Sequence, residues 1–503
     1  MLLLILLCAL GAVAEIYTIR AQDNATNFAL RHGLQYLKTV AGYNVYRGSL
    51  NKRNPPPVGL TLDRKRRHFK RYYRSGVTDP LYPSQWHLHG SSKASIDALE
   101  EGGPTGKGIT VAIVDDGIQF RHPDLAGNYK SELSHNFNSG PASDPTPSRD
   151  DGHGTSAAGT CCAARNTVCG RGIAYQASLA GIRLIAEGTY DYEEAQGLSY
   201  MWDKIRIYSN SWGPEDSGRD MVAPGQVTKE ALRRGFEERG TIYIWAGGNG
   251  RTNGDSSNYD GYANSAYTLA IGALDYNGNV AYYSEGGANL LAVAPSSGVS
   301  GRGIVTTDLM GSYGYSAGEC TFSFGGTSAA APLAAGIAAI LLEVNPSFKA
   351  RDIMHIIAKG ATKIGRSYEY STVNGRGYSH SNDYGFGLLK VPALLAIARN
   401  FTSVPTMKRI VVGNGGDSLS FVERALVTVT ILGLRGSTTI KLISPQTVSV
   451  LAVPHNDVHS GPFTWTFSSL RHFGEEFRKG DVWTVSEDPR GSVRDVKIEL
   501  LGY

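Results

Sequence analysis

From residue 108 onward, short apolar runs alternate with longer stretches that are amphipathic or rich in small residues. Residues 109–114 (Ile-Thr-Val-Ala-Ile-Val) are almost continuously apolar, the pattern of a strand covered on both faces of a parallel sheet. Similar short strands are expected near residues 178–184, 205–209, 242–245 and 267–271. Helical stretches such as 154–164 and 227–239 fall between them, and an amphipathic helix near 388–400 closes the series. This alternation predicts an α/β domain with a doubly wound, mostly parallel sheet. After about residue 405 the pattern changes. Residues 426–432, 438–443 and 448–453 alternate or run β-branched between Gly, Ser and Pro turns, which predicts a C-terminal all-β sandwich of roughly 100 residues. Residues 15–50 carry short mixed apolar runs, consistent with a small N-terminal α+β unit.

The first apolar run, residues 2–12, leads into Ala12-Val13-Ala14, a small-x-small cleavage signal. It predicts a secretory signal peptide over residues 1–14, although no positive charge precedes it; the alternative is a core strand or helix. No later run reaches the ~18 apolar residues of a membrane span. The nearest, 329–342, reads as a core helix beside a motif described below. A protein without a membrane anchor is therefore expected in the lumen of the secretory route or outside the cell.

Composition narrows the class. A chain of 503 residues accommodates two or three domains. With 61 Gly and 21 Pro it has many turns, but 41% hydrophobic residues without a repeat exclude collagen and disorder. The net charge of +4, from 49 basic and 45 acidic residues, makes nucleic acid a poor partner. Charge is nevertheless concentrated: residues 64–71 read Arg-Lys-Arg-Arg-His-Phe-Lys-Arg behind the stiff Asn54-Pro55-Pro56-Pro57. Such a run is a solvated surface, a heparin patch or a nuclear signal in other settings. Behind a signal peptide it is better read as a processing site between a pro-segment and a mature enzyme. Of five cysteines, Cys8 leaves with the signal peptide. An oxidising compartment favours one disulfide or two among Cys161, Cys162, Cys169 and Cys320, with at least one of the adjacent pair expected as a buried free thiol.

Four segments carry chemistry. The first strand ends in Asp115-Asp116-Gly117, His153 opens a small-residue helix in Asp150-Asp151-Gly152-His153-Gly154, Asn249 follows a strand in Gly247-Gly248-Asn249-Gly250, and Ser328 begins a helix in Gly325-Gly326-Thr327-Ser328. Pro332 is expected in that helix's first turn. Acyl transfer by serine requires an imidazole to take the hydroxyl proton and a buried carboxylate to hold the imidazole tautomer. It also requires donors for the developing oxyanion, each worth about 3–4 kcal/mol. Ser328, His153, Asp115 and Asn249 supply these functions, and a helix start at Ser328 adds a backbone N–H.

Asp115-Asp116-Gly117, His153-Gly154-Thr155 and Gly326-Thr327-Ser328-Ala329-Ala330-Ala331-Pro332 resemble the subtilase superfamily, which shares the order Asp, His, Ser. Ser211-Trp212-Gly213-Pro214-Glu215-Asp216, residues 175–183, Asp308-Leu309 and Tyr384-Gly385-Phe386-Gly387-Leu388-Leu389 resemble its kexin/furin proprotein convertases. The likeness extends over nearly the whole chain, and the β-rich tail resembles their P domain. It implies a signal peptide (1–14), a pro-domain (15–71), a subtilisin-like catalytic domain (72–402) and a P domain (403–503).

The resemblance implies a calcium-dependent serine endopeptidase that cuts protein and peptide precursors after paired basic residues. Such an enzyme would act as a monomer, inhibited by its own pro-segment until cleavage after Arg71, with Arg64-x-Arg66-Arg67 as a second candidate site. Carboxylate pairs suit guanidinium recognition. The resemblance assigns Asp216 and Asp260 to the basic residue before the cut, Asp116 and Asp150 to the second, and Glu194 to the fourth. Val222 stands where the family has a further acid, which leaves strict selection at that fourth position open, with Asp220 as a possible substitute. One implied Ca2+ site comprises Asp79, Asp124, Asn166 and the carbonyls of Ala163, Val168 and Gly170; another comprises Asp216, Asp255 and Glu285. Cys169 and Cys320 are implied to pair, whereas Ser257, Tyr259 and Gly287 stand around a family disulfide absent here. A broader degradative subtilase and a catalytically silent scaffold are the alternatives.

Overall fold

The computed structural model describes residues 78–503 apart from 367–369, 371–372, 375 and 414–417, together with four strands before residue 64. The chain divides into two compact units, Met1–Tyr73 and Arg74–Tyr503. In the first, β1 (Glu15–Arg20), β2 (Gln35–Val40), β3 (Tyr43–Gly48) and β4 (Leu60–Asp63) form one antiparallel sheet in the order β2-β3-β1-β4. The expected signal peptide, the basic run 64–71 and the cleavage point at Arg71 lie outside the described residues.

The second unit is built on a seven-stranded sheet. Its strands are β5 (Thr110–Asp115), β6 (His135–Asn136), β7 (Ser178–Arg183), β8 (Ile207–Asn210), β9 (Ile242–Ala246), β10 (Leu269–Leu274) and β11 (Leu290–Pro295). They lie in the order β11-β10-β9-β8-β5-β7-β6, every neighbouring pair parallel. Because strand side chains alternate faces, β5 sends Val111 and Ile113 into one core and Ala112 and Val114 into another. Helices cover both faces, which is why the strands read as unbroken apolar runs.

The helices are α1 (Pro123–Ala126), α2 (His153–Cys162), α3 (Asp191–Ser199), α4 (Gln226–Arg234), α5 (Thr327–Val344), α6 (Ala350–Gly360) and α7 (Val391–Ala398). Ala157 and Ala158 of α2 share one core with the length of α5, whereas Leu198 of α3 and Leu232 of α4 fill the other. Small residues let α2 and α5 approach the sheet closely. The sequence order reverses at β5, flanked by β7 and β8, so a crevice opens at its carboxyl end. Asp115 is the last residue of β5.

A hairpin of β12 (Ile304–Thr307) and β13 (Cys320–Phe324) leads into α5. Beyond α7 come β14 (Lys408–Val411), β15 (Val422–Ile431), β16 (Thr439–Ile443), β17 (Val448–Ala452), β18 (Phe463–Ser469), β19 (Thr484–Asp488) and β20 (Val493–Gly502). They make two antiparallel sheets, β14-β20-β15-β18 and β17-β16-β19, around one core. That core also takes in Met221, Tyr259 and Ala288 from the α/β part.

The sandwich is fastened by polar contacts. The Tyr259 hydroxyl donates to the Val453 carbonyl (3.0 Å) and accepts from its N–H (3.1 Å). Asn258 and Asn264 bond the outer backbone of edge strand β18 at Ser468 and Thr466. Buried Arg424 donates to the carbonyls of Ser265 and Thr268, and Arg351 forks onto Glu423.

Cys169 and Cys320 form a disulfide, with 5.6 Å between their Cα atoms. Cys161 and Cys162 are also joined, which corrects the expected free thiol: at the buried end of α2 each sulfur has the other as its neighbour.

Candidate active site

His153 is the first residue of α2 and meets Asp115 across the crevice: Nδ1 lies 2.9 Å from Asp115 Oδ1, which also accepts from the Asp116 N–H at 2.8 Å. A carboxylate can only accept, so Nδ1 carries the proton and Nε2 is left as the base. Burial disfavours the imidazolium, but Asp115, with help from the charge of Asp116, outweighs it and raises His153, so the cation formed when Nε2 takes a proton is stabilised. Asp116 caps α2 from below, its two oxygens accepting from the N–H groups of His153 (3.1 Å) and Gly154 (2.8 Å). Burial and then the charge of Asp115 push the Asp116 carboxyl up to about 7. Residue 154 must be glycine, since a Cβ there would lie 2.3 Å from the Gly117 carbonyl and 2.8 Å from Asp115 Cβ.

Ser328 is the second residue of α5, and its Oγ–H points at the Ser211 carbonyl 3.4 Å away. Phe324, on the strand that feeds α5, stands edge-on to His153 with ring centroids 5.5 Å apart. Pro332 falls in the second turn of α5, not the first as expected, so its missing N–H leaves the Ser328 carbonyl unpaired within the helix. The Ser211 hydroxyl donates to that carbonyl instead, at 3.1 Å. Asn249 follows β9, and its Oδ1 accepts from both the N–H (2.8 Å) and the hydroxyl (3.0 Å) of Thr327. An N–H donor fixes which end of the amide is oxygen, so the NH2 is turned away from Thr327. Neither Thr327 nor Ser211 is singled out by the sequence for these duties, because their partners are distant along the chain.

The acidic residues fall into groups. Asp216, Asp255 and Glu285 bring oxygen atoms within 4.8 Å of one another. Backbone N–H groups bond each of them, Asn249 to Asp216, Gly218 and Ser256 to Asp255, and Gly250 to Glu285, and the Asn249 side chain also bonds Asp216. Burial raises all three, Asp255 to about 6 and Glu285 well above its usual range, and their mutual repulsion adds to this for Asp255 and Glu285. Asp260 adjoins them; burial pushes it up to about 7, with the charges of Asp216 and Asp255 adding to the effect.

A second group joins Asp79, Asp124 and Asn166. The Asn166 N–H bonds Asp79 Oδ1 and its amide bonds Asp124 Oδ1, both at 2.8 Å, leaving both Oδ2 atoms buried without a partner. Burial raises both carboxyls, Asp124 to about 8. The Ala163 carbonyl accepts from Gly172 at 2.9 Å and keeps its second lone pair. Val168 lies against Asn166 through a 2.6 Å bond, and Gly170 is buried beside Gln85.

The outer acids differ. Asp150 is exposed beside α2. Glu194 is held by Thr189 (2.9 Å) and by the hydroxyl of Tyr262 (2.7 Å), two residues beyond Asp260. Asp220 is 3.4 Å from His459 of the sandwich, so it is already engaged there.

Residues 106–387 match the Subtilase family, a span that contains Asp115, His153, Asn249 and Ser328. Furin of Rattus norvegicus is 34% identical over 90% of this chain and 63% of its own length, and furin of Homo sapiens is 36% identical over the same shares. The chain thus spans a little under two thirds of these relatives. Proprotein convertase subtilisin/kexin type 4 of Mus musculus is 36% identical over 82% of this chain and 68% of its own. In fold, the crystal structure of a serine protease of Aeromonas sobria superposes with a TM-score of 0.73 at 23% identity, covering 85% of this chain and 96% of that one. With the carboxylate–imidazole pair at the sheet crevice and these likenesses along the chain, the protein belongs to the subtilase family, among its furin-like proprotein convertases.

Proposed function

We propose that the protein is a calcium-dependent serine endopeptidase that cuts precursor proteins after paired basic residues. The observation that carries the catalytic part is the 2.9 Å bond from Asp115 to His153, paired with an Asn249 amide oriented by Thr327. His153 Nε2 takes the Ser328 hydroxyl proton as Oγ attacks the scissile carbonyl. The Asn249 NH2 and the Ser328 N–H receive the oxyanion. The imidazolium, stabilised by Asp115, then gives its proton to the leaving amine, and water releases the acyl group by the reverse sequence.

Basic specificity is supported by the half-buried carboxylates. Asp216 and Asp260 form the receptor for the last residue before the cut, where a guanidinium or ammonium offsets charge that burial otherwise suppresses. Asp116 and Asp150 serve the second basic residue and Glu194 the fourth. Calcium fits two donor sets of hard oxygens: Asp79, Asp124 and Asn166 with the carbonyls of Ala163, Val168 and Gly170, and Asp216 with Asp255 and Glu285. Bound there, the ion supplies positive charge that keeps the carboxylates ionised. We assign residues 1–14, 15–71, 72–402 and 403–503 to signal peptide, pro-domain, catalytic domain and P domain, with self-cleavage after Arg71 in the secretory route.

The test compares hydrolysis of peptides ending in Lys-Arg, Ala-Arg and Ala-Leu before the leaving group, with calcium and with chelator. The order Lys-Arg, Ala-Arg, Ala-Leu, lost in chelator, is expected. Equal turnover of all three would sink the acidic receptor, and no turnover at all would favour a silent scaffold.

A further inference from the structure

The loop over residues 308–319 connects β12 to β13 and borders His153. Asp308, fully buried, gathers the loop: its carboxylate accepts from the N–H groups of Leu309 (2.9 Å), Tyr315 (3.0 Å) and Ser316 (2.7 Å). Residue 314 must be glycine for the chain to wrap this closely, since a Cβ would lie 2.0 Å from Asp308 Oδ1. The loop's ends are closed by the Asp308 N–H to the Glu319 carbonyl (2.8 Å), and the Cys169–Cys320 disulfide pins the next residue. This is a rigid platform.

The platform carries two tyrosines, Tyr313 and Tyr315, each 51% exposed, and Asp308 holds the backbone N–H of Tyr315. Tyr315 leans on Phe324 with centroids 6.1 Å apart, and Phe324 in turn abuts His153. The path from this ring to the acids of the crevice is short: Phe324 links it to His153, whose Nδ1 meets Asp115 and whose N–H meets Asp116. The neighbouring ring already holds a cation: the Arg149 guanidinium sits over Tyr313 with 4.7 Å to the centroid, next in sequence to Asp150. A half-exposed aromatic face beside carboxylates attracts a cation from both sides.

We propose that Tyr315 is a specificity-determining residue, its ring forming the aromatic wall against which the second basic side chain of the substrate lies while Asp116 and Asp150 take its charge. This rests on the paired-basic reading above and adds a hydrophobic and cation–π contact to it. The stem of a Lys or Arg lies along the ring and its head reaches the carboxylates.

The experiment measures kcat/KM on Lys-Arg and Ala-Arg peptides for wild type, Tyr315→Leu and Tyr315→Phe, each normalised by active-site titration. Tyr315→Leu is expected to slow the Lys-Arg peptide about fivefold and leave the Ala-Arg peptide within about twofold, with Tyr315→Phe retaining the wild-type preference because the ring face is kept. An equal fall on both peptides, or no fall on either, overturns the proposal. A wild type that does not distinguish the two peptides overturns the paired-basic reading itself, and the role of Tyr315 with it. A wild type that does distinguish them, matched by a Leu variant that does so equally well, overturns only the role of Tyr315.

Discussion

Thr327 decides how Asn249 works. Its N–H and hydroxyl both hold the amide oxygen, which turns the NH2 away from Thr327, as the proposed oxyanion role requires. Replacing Asn249 by Ala removes that donor and is expected to lower kcat by about 10²–10³ while leaving KM nearly unchanged. Steady-state kinetics check this, and a rise in KM with kcat intact would show that Asn249 binds substrate instead. That Asp115, His153, Asn249 and Ser328 lie at strand ends or helix starts was legible in the sequence because glycine punctuates each of these places. Thr327 and Ser211 were not, since their partners are 78 and 117 residues away and leave no local pattern. The helix start was read to within one residue, but Pro332, its sixth residue, lies past the 3.6 residues of the first turn.

At the scale of elements, the β-sandwich is joined to the α/β part by buried polar groups as well as by shared apolar core. Arg424 reaches the Ser265 and Thr268 carbonyls and the Ser468 hydroxyl from a site only 2% exposed. Arg424→Met keeps the side chain's length but leaves these acceptors buried without a donor, at a cost of about 3 kcal/mol or more. Denaturant unfolding measures this; an unchanged midpoint would mean that the two parts do not depend on each other through this residue. The strands were readable from their apolar runs and the tail from its alternation. The order β11-β10-β9-β8-β5-β7-β6 was not, because pairing is set by long crossovers. Strand β11, Leu290–Pro295, lies fully buried between glycine-rich turns and lacks the alternation that marks a half-exposed strand.

For the whole molecule, the proposed calcium sites make pH and calcium compete for the same carboxylates. Burial raises Asp124 to about 8 and Asp255 to about 6 in the folded chain, above the usual carboxylate range. Without calcium the folded state therefore holds protons that the unfolded chain has released, so stability falls as pH rises from about 4 to about 8. Calcium bound as proposed would replace those protons. Thermal unfolding in chelator is expected to show a Tm that drops across this interval, and added calcium to restore it most at the alkaline end. A calcium effect that is largest at acid pH would contradict the assignment of these residues as ligands. The ligand sets came only from family resemblance, since no spacing along the chain announces that Asp79 and Asp124 meet at Asn166.

The central claim is that Ser328, activated by His153 and Asp115, is the nucleophile of a serine endopeptidase. Reaction of the folded, calcium-loaded chain with a fluorophosphonate probe, read by mass spectrometry of its peptides, tests this most directly. The account predicts one covalent adduct, on Ser328, absent in Ser328→Ala and strongly slowed in His153→Ala. A folded wild type that takes no label, or takes it on another serine, would contradict it.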